Sequence, residues 1–462
     1  MSSNTGKGTI IMGAGVAGLS AGYVLSRAGE GVTVVEGDQV VGGLSKTIKK
    51  GVFRFDIGGH RFLTKNREVE DFVKDILNGE YTVVHRKSKI YLGQKVFDYP
   101  LRPSNALLGL GIWTSLKALL DYTMEKTRSL FISPSDISLE DWVVRNFGKT
   151  LFNIYFKDYS EKVWGIGCER ISQEWVSQRI RGLSLGKAIK NAFFKFTGRD
   201  IATLADTFIY PLNGIGDISE RLEKGIDRDN KVLTGTRVEK IHHEGSVIKA
   251  ITTRNCNYTE EMEGEHFISS IPLTDLVRRL YPPPPDEIVD ASSRLRYRDI
   301  VIVTVMIDRE RVTDLTWLYL PEKGVPIGRV HEPKNWSERM APQGKTHLVC
   351  EYFCFKGDEI WNKDDNELVS ITVKHLEVLN LIRRNEVIDS CVLRVPKAYP
   401  LFEVGYDEPY SRVIAYLGNF KNLQVIGRGG RFRYYNMDHA IESGINAARK
   451  ILNNRSLHSN QL

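Results

Sequence analysis

The sequence predicts an α/β fold organised around a discontinuous, Rossmann-type dinucleotide-binding domain, with a mainly helical insertion and an antiparallel β-sheet substrate domain. Three observations carry this expectation. A glycine-rich strand–turn–helix opens the chain, a β-branched strand ending in an acid follows it, and a second strand–glycine–helix unit recurs near residue 427.

Composition is compatible with such a body. The 462 residues are 42% hydrophobic and 26% charged, with 40 Gly and 16 Pro, which excludes collagenous, low-complexity and strongly disordered classes. Lys plus Arg exceed Asp plus Glu by 64 − 57 = +7, a mild bias that suits anionic small molecules. The longest basic cluster, Lys46 to Lys50, falls between glycine-rich cofactor-type motifs, so no nucleic-acid partner is expected. Cys168, Cys256, Cys350, Cys354 and Cys391 form no CxxC pair and have no His-rich neighbourhood, which predicts reduced structural thiols and no metal. Met1 to Lys7 lacks the order of a signal peptide, and the lipophilic stretch Ala106 to Trp113 is too short to span a bilayer. A cytoplasmic protein without an integral membrane segment is the expectation; oligomeric state is left open.

In chain order, Gly8 to Met12 reads as a short apolar strand leading into Gly13-Ala-Gly15-Val-Ala-Gly18 and the helical run from Leu19. Gly13 permits a tight turn, Gly15 lets the backbone approach a pyrophosphate, and Gly18 lets helix and strand pack closely. The helix N-terminus offers free N–H groups to phosphate. Val32 to Val35 is the returning strand, and Glu36, 23 residues after Gly13, suits a ribose hydroxyl. Pro100 to about Ile201 carries helical patterns at Ala106 to Met124 and Glu140 to Phe147, broken at Pro134. Lys231 to Ile241 and Phe267 to Pro272 read as strands, and Pro282 to Pro285 marks a boundary. From Leu295 to Arg394, Ile300 to Val305 and His347 to Cys350 alternate with turns, the pattern of an antiparallel sheet closing over a ligand. Leu423 to Ile426, Gly427-Arg428 and the helical Asp438 to Leu452 complete the first domain, and the polar tail is expected to fray.

Gly42-Gly43-Leu44-Ser45 follows Glu36, and then Phe53-Arg-Phe-Asp56-Ile-Gly58-Gly59-His60-Arg61-Phe62. This order resembles the large FAD family that includes amine oxidases, protoporphyrinogen oxidase, phytoene desaturases and UDP-galactopyranose mutase. The resemblance implies FAD bound by Gly13, Gly15, Ala17, Gly18, Glu36, Gly43, Leu44, Gly59, His60, Val238, Gly427, Arg428 and Met437, with His60 beside the flavin ring. It also implies a division into residues 1–99, 202–290 and 395–455 for the FAD domain, 100–201 for the helical insertion, 291–394 for the sheet domain and 456–462 for the tail.

Within that family, Gly427-Arg428-Gly-Gly-Arg431-Phe-Arg-Tyr434-Tyr435-Asn436-Met437-Asp438 resembles the mutases in particular. Tyr159-Ser-Glu-Lys-Val-Trp164-Gly165 repeats their Tyr and Trp spacing. Arg179 and Arg329 stand where that family places phosphate-binding arginines, although Arg181 fits the first position equally well. The chemistry agrees with these residue types. Two arginines from different segments can clamp a sugar-nucleotide diphosphate through bidentate, charge-assisted hydrogen bonds. Trp164, Tyr159, Tyr352 and Tyr434 offer flat amphipathic surfaces to a sugar or base, with Asn436 beside them.

The resemblance implies a redox-neutral pyranose–furanose isomerisation that needs reduced FAD and passes through a flavin N5–sugar adduct, serving cell-surface polysaccharide or glycoconjugate synthesis. NAD(P)H is the candidate reductant, and His60, Arg179 and Arg329 the catalytic candidates. Asn436 replaces the acid that many mutases carry, and Tyr210-Pro-Leu-Asn-Gly214-Ile-Gly216 is closer to the oxidase and desaturase branch. The alternative is therefore an FAD-dependent oxidase or desaturase on an amine, a porphyrinogen or a polyene, for which Ala106 to Leu120 would be a membrane-facing or lipophilic tunnel helix. A non-catalytic flavoprotein that binds a nucleotide sugar or a partner enzyme is the third reading.

Overall fold

A computed structural model describes residues 8–99, 111–131, 137–175, 207–226 and 230–459. Arg179 and Arg181, the two candidates for the first phosphate arginine, and Pro134 lie outside these residues.

The first layer is a five-stranded parallel sheet in the order Leu423–Val425, His266–Ser269, β1 (Thr9–Met12), β2 (Val32–Val35), Lys231–Leu233. Its strands come from three separated stretches of chain, so the dinucleotide domain is discontinuous. A parallel sheet must be covered on both faces. On one face pack α1 (Val16–Arg27) and the C-terminal helix Met437–Ser459, around Ile11, Leu19, Val34, Ile268 and Ile441. On the other, Ile10, Met12, Val35 and Phe267 meet Leu276 and Val413. The alternation Ile10/Ile11/Met12 divides β1 between the two cores, as a period of two requires. A smaller sheet, mainly an antiparallel meander of Arg237–Glu244, Val247–Arg254 and Thr259–Glu263, adjoins this body.

A seven-stranded sheet forms the second large layer, in the order Val387–Pro400, Tyr297–Ile307, Thr346–Cys354, Arg329–His331, Trp317–Tyr319, Ser88–Leu92, Lys95–Tyr99. Every residue of Tyr297–Ile307 is buried, because this strand is flanked on both sides and covered on both faces. Val301, Val303, Val305 and Ile307 face one core with Leu368 and Leu376 of the helix Asp365–Val378; Ile300, Ile302 and Met306 face Phe53 and Phe55. The hairpin Ser88–Tyr99, from the stretch expected to belong to the dinucleotide domain, supplies the last two strands at one edge. Its lysines and exposed Val96 hide a sheet signal that rests on buried Ile90 and Phe97 alone.

The described part of the helical segment contains Ile112–Phe131, Leu139–Phe147 and a run from Lys149 to Trp164 that passes through a π-helical stretch at Phe152–Lys157. Ser138 and Asp141 close a reciprocal cap on the second of these.

Candidate functional site

One cavity of about 1960 Å³ runs from the C-terminal ends of the parallel strands to the face of the seven-stranded sheet and the helix Asp158–Trp164. At its first end, α1 begins at Gly15 with no side-chain cap, so the N–H groups of its first turn open toward the cavity that Gly13, Gly15, Val16 and Ala17 line. A Cβ built on Gly15 meets nothing within 4 Å, whereas one on Gly18 would lie 1.9 Å from the Gly13 carbonyl oxygen. Gly15 keeps space for a ligand, and Gly18, which does not line the cavity, keeps helix and turn in contact. Glu36 is held at the end of β2 by the Ala14 N–H on one carboxylate oxygen (2.8 Å) and the Asp38 N–H on the other (2.9 Å). Each oxygen retains a second acceptor position for a ligand hydroxyl. Gly43, Leu44, Val238, Gly427 and Met437 line the same end.

The middle of the cavity is built on Phe53–His60. Asp56 is buried and accepts from the Thr47 hydroxyl and the Tyr210 hydroxyl (both 2.6 Å) and from the Ile215 N–H (3.2 Å), which ties the loop to the Tyr210–Gly216 segment. Burial pushes its carboxyl up to about 6, against the pull of those three donors. Gly59 donates to Glu351 (3.2 Å) and lies so near Trp317 that a Cβ would stand 2.2 Å from the indole nitrogen. His60 lines the cavity with its Nδ1 shielded and unpartnered. Burial first, then the nearby Arg428 and Arg329 charges, push its imidazole down to about 4, so it is neutral at physiological pH.

Two guanidinium groups face this region. Arg329 engages Glu351 bidentately, through Nε (2.7 Å) and Nη2, and both side chains are removed from bulk solvent, at 17% and 0% exposure. Burial works against the arginine's charge, but the Glu351 carboxylate outweighs it and holds Arg329 protonated well above its usual range. Arg428 lies over the rings of Tyr399 and Tyr434, which are 17° from parallel with centroids 6.3 Å apart; its Cζ is 4.6 and 4.5 Å from the two centroids, to one side of the line that joins them. Its Nε and Nη2 are buried and have no hydrogen-bond partner. Trp164 packs edge-on against Tyr399 and Tyr434, and Tyr159 against Tyr319, all lining the cavity; Asn436 sits at the exposed rim. The Asp158–Trp164 helix is pinned by Lys162, which donates to the carbonyls of Leu320, Glu322 and Val325, and by buried Arg298, which donates to those of Lys162 and Val163.

The structure thus brings together His60, Arg329, Tyr159, Trp164, Tyr434 and Asn436. Tyr352 departs from the expectation and is corrected here: it faces the opposite core, buried, with its hydroxyl 2.6 Å from that of Thr372. Period-two alternation along Thr346–Cys354 turns Tyr352 away from the cavity and Glu351 toward it. Glu351, Tyr399 and Trp317 are absent from the sequence-derived set. A lone carboxylate in the apolar run His347–Cys354 is the signal that could have found Glu351. All five cysteines are free, and no group of three or more metal-ligating side chains occurs among the described residues.

The profile of the flavin containing amine oxidoreductase family matches residues 16–452. Among curated proteins, an L-amino-acid oxidase of Crotalus adamanteus is 34% identical over 112 residues, 21% of this chain; the chain spans only 22% of that oxidase's length. Coproporphyrinogen III oxidase of Bacillus subtilis is 21% identical across 87% of this chain and 89% of its own. Among solved structures, reduced UDP-galactopyranose mutase superposes with a TM-score of 0.85 at 21% identity, covering 97% of this chain and 94% of the mutase, a likeness of fold.

Proposed function

The chain belongs to the flavin containing amine oxidoreductase family, which implies a flavin-dependent enzyme with FAD as cofactor, and on that premise we propose that it is a nucleotide-sugar mutase interconverting pyranose and furanose forms. The dinucleotide end of the cavity fits FAD: the space at Gly15, the open acceptor positions of Glu36 and the orphaned buried Nδ1 of His60 and Nε1 of Trp317 are features a bound flavin dinucleotide would satisfy. Gly13, Gly15, Ala17, Glu36, Gly43, Leu44, Gly59, His60, Val238, Gly427, Arg428 and Met437 would hold it, with Gly18 keeping the turn closed. Reduced FAD, when bound, supplies the nucleophile and the electron store for the sugar chemistry, and NAD(P)H is the proposed reductant.

The observation that carries the reading is that two guanidinium groups face the cavity, Arg428 seated over the rings of Tyr399 and Tyr434 and Arg329 held by Glu351. An aromatic surface of this kind would suit a substrate ammonium, but here the protein's own cation occupies it, and with Arg329 it makes the pocket complementary to an anion. A sugar-nucleotide diphosphate carries about two negative charges. Arg329, oriented by Glu351, would bind and retain that diphosphate with Nη1, which lies outside the carboxylate pair, while Arg179 or Arg181 remains the proposed second clamp. Tyr159, Trp164 and Tyr434 would flank sugar and base and exclude water. Neutral His60 can accept or give one hydrogen bond at Nδ1 without adding charge. Asn436 offers a neutral amide at the rim.

The second reading, a porphyrinogen-type oxidase, is favoured by the similarity to coproporphyrinogen III oxidase along 87% of the chain. Dithionite-reduced holoprotein incubated with UDP-galactose and with GDP-sugars, resolved by chromatography, separates the two. A furanose product that requires reduced flavin, and that Arg329→Ala abolishes while FAD stays bound, is expected. Peroxide release with a porphyrinogen and no sugar isomerisation would overturn the mutase reading.

A further inference from the structure

We infer that the solvent face of the helix Ile112–Phe131 docks the protein onto an anionic membrane surface, lying on it without crossing it. The inference goes beyond the proposed chemistry and rests on a different part of the molecule. Ile112 is 80% exposed, Trp113 81%, Met124 68%, Leu120 56%, Leu116 49% and Leu119 37%. At 100° per residue these six fall within one broad face, interleaved only with Thr123 and Thr127, so they form one continuous apolar ridge. Isolated exposed apolar residues need no explanation, but a ridge of six large ones on one helix does.

The inward face of the same helix is already partnered. Ala118 is fully buried, Tyr122 packs toward Leu151, and Asp121 accepts from the Thr150 N–H and hydroxyl. Among the described residues, that opposite face carries the packing of the helix and the ridge carries none of it.

Charge selects the occupant. The helix carries two acids ahead of its last turn; Asp121 is turned to Thr150, and Glu125 lies 3.9 Å from Arg128. Lys117 beside the ridge is exposed, as is Lys149 on the next helical segment, and neither makes an ion pair among the described residues. Next to Lys117 a hollow of about 390 Å³ is lined by Trp113, Thr114, Lys117, Thr150, Asn153 and Ile154, a polar niche at the edge of an apolar ridge. Apolar ridge, interfacial tryptophan and flanking lysines are the arrangement that inserts into the headgroup region of a bilayer and answers its phosphates. Two-fold pairing with a second copy would bring two sets of lysines to one rim with no carboxylate among the described residues of the ridge face to meet them. The helix is not apolar enough to cross a membrane, and no described helix is.

The test is co-sedimentation of the FAD-loaded full chain with vesicles of pure phosphatidylcholine and of phosphatidylcholine with 30% phosphatidylglycerol. Binding to the anionic vesicles is expected, weakening as salt rises, with little binding to the neutral ones. Lys117→Gln with Lys149→Gln should weaken it about 25-fold, roughly fivefold per lysine. Trp113→Ser with Leu116→Ser and Leu120→Ser should abolish it while flavin absorbance and melting temperature hold. Should that variant fold poorly, Trp113→Gln alone must still reduce binding. Equal binding by wild type and variants, or none by wild type, overturns the inference. So does sedimentation velocity in which the wild type is a dimer, the ridge variant a monomer, and neither binds vesicles, since the ridge then covers a second copy.

Discussion

Replacing Glu351 by Gln tests the coupling on which the anion-binding account depends. Glu351 is fully buried, accepts from Arg329 Nε at 2.7 Å and from Nη2, and also receives the Gly59 N–H. Glutamine preserves the shape and one acceptor oxygen, but it removes the charge and turns an NH2 toward a guanidinium donor. Breaking a buried pair by removing one partner costs about 3–5 kcal/mol, and because Arg329 retains some access to the cavity the lower end, about 3 kcal/mol, applies. With an unfolding entropy of about 2.1 cal/mol/K per residue over the whole chain, roughly 1 kcal/mol corresponds to 1 °C, so the melting temperature of the holoprotein should fall by about 3 °C. Differential scanning calorimetry reads this. Turnover should fall at least about a hundredfold, because a guanidinium no longer held in one orientation loses the aim of its Nη1 at the phosphate. The double variant Arg329→Met with Glu351→Leu should recover most of the stability and none of the activity. An unchanged melting temperature and unchanged turnover in Glu351→Gln would refute the reasoning.

Other consequences are separately measurable. Gly15→Leu projects a side chain into the space beside the α1 N-terminus, so FAD occupancy, read from flavin absorbance, should fall at least about tenfold while the apoprotein still folds. Tyr352→Phe should leave turnover unchanged and cost about 1 kcal/mol, the hydroxyl pair with Thr372, in urea unfolding. His60 is depressed from its usual value to about 4 in the folded protein. The unfolded chain therefore takes up that proton first, and the His60 contribution to stability is full above about pH 6.5, is lost as pH falls toward 4, and is level below. His60→Gln should make the stability slope in this window shallower by up to about 1.4 kcal/mol per pH unit; identical slopes in the two proteins would contradict the assignment.

The dinucleotide end was legible because its signal is local: glycines, strand, helix and acid occupy one βαβ unit, and the structure places Glu36 at the end of β2 against the glycine turn. The seat of Arg428 against Tyr399 and Tyr434 was not, because the two tyrosines belong to a long edge strand and a loop that only the tertiary fold brings together. Tyr352 and Glu351 show a second limit. Residue type drew attention to the aromatic, while the strand's period of two decides which neighbour lies on the cavity side, behind Arg329 and Gly59, and the phase of that period depends on which face packs against Asp365–Val378. The hairpin Ser88–Tyr99 escaped for a related reason, since edge strands keep lysines and polar residues where a central strand would be apolar.

The most direct measurement is a crystal structure of the reduced holoprotein soaked with UDP. The account predicts the diphosphate within hydrogen-bond distance of Arg329, with the base or ribose against Tyr159 or Trp164 and Arg428 still seated over its two tyrosines. Diphosphate bound away from Arg329, or no bound UDP alongside an amine or porphyrinogen that displaces Arg428 from those rings, would contradict it.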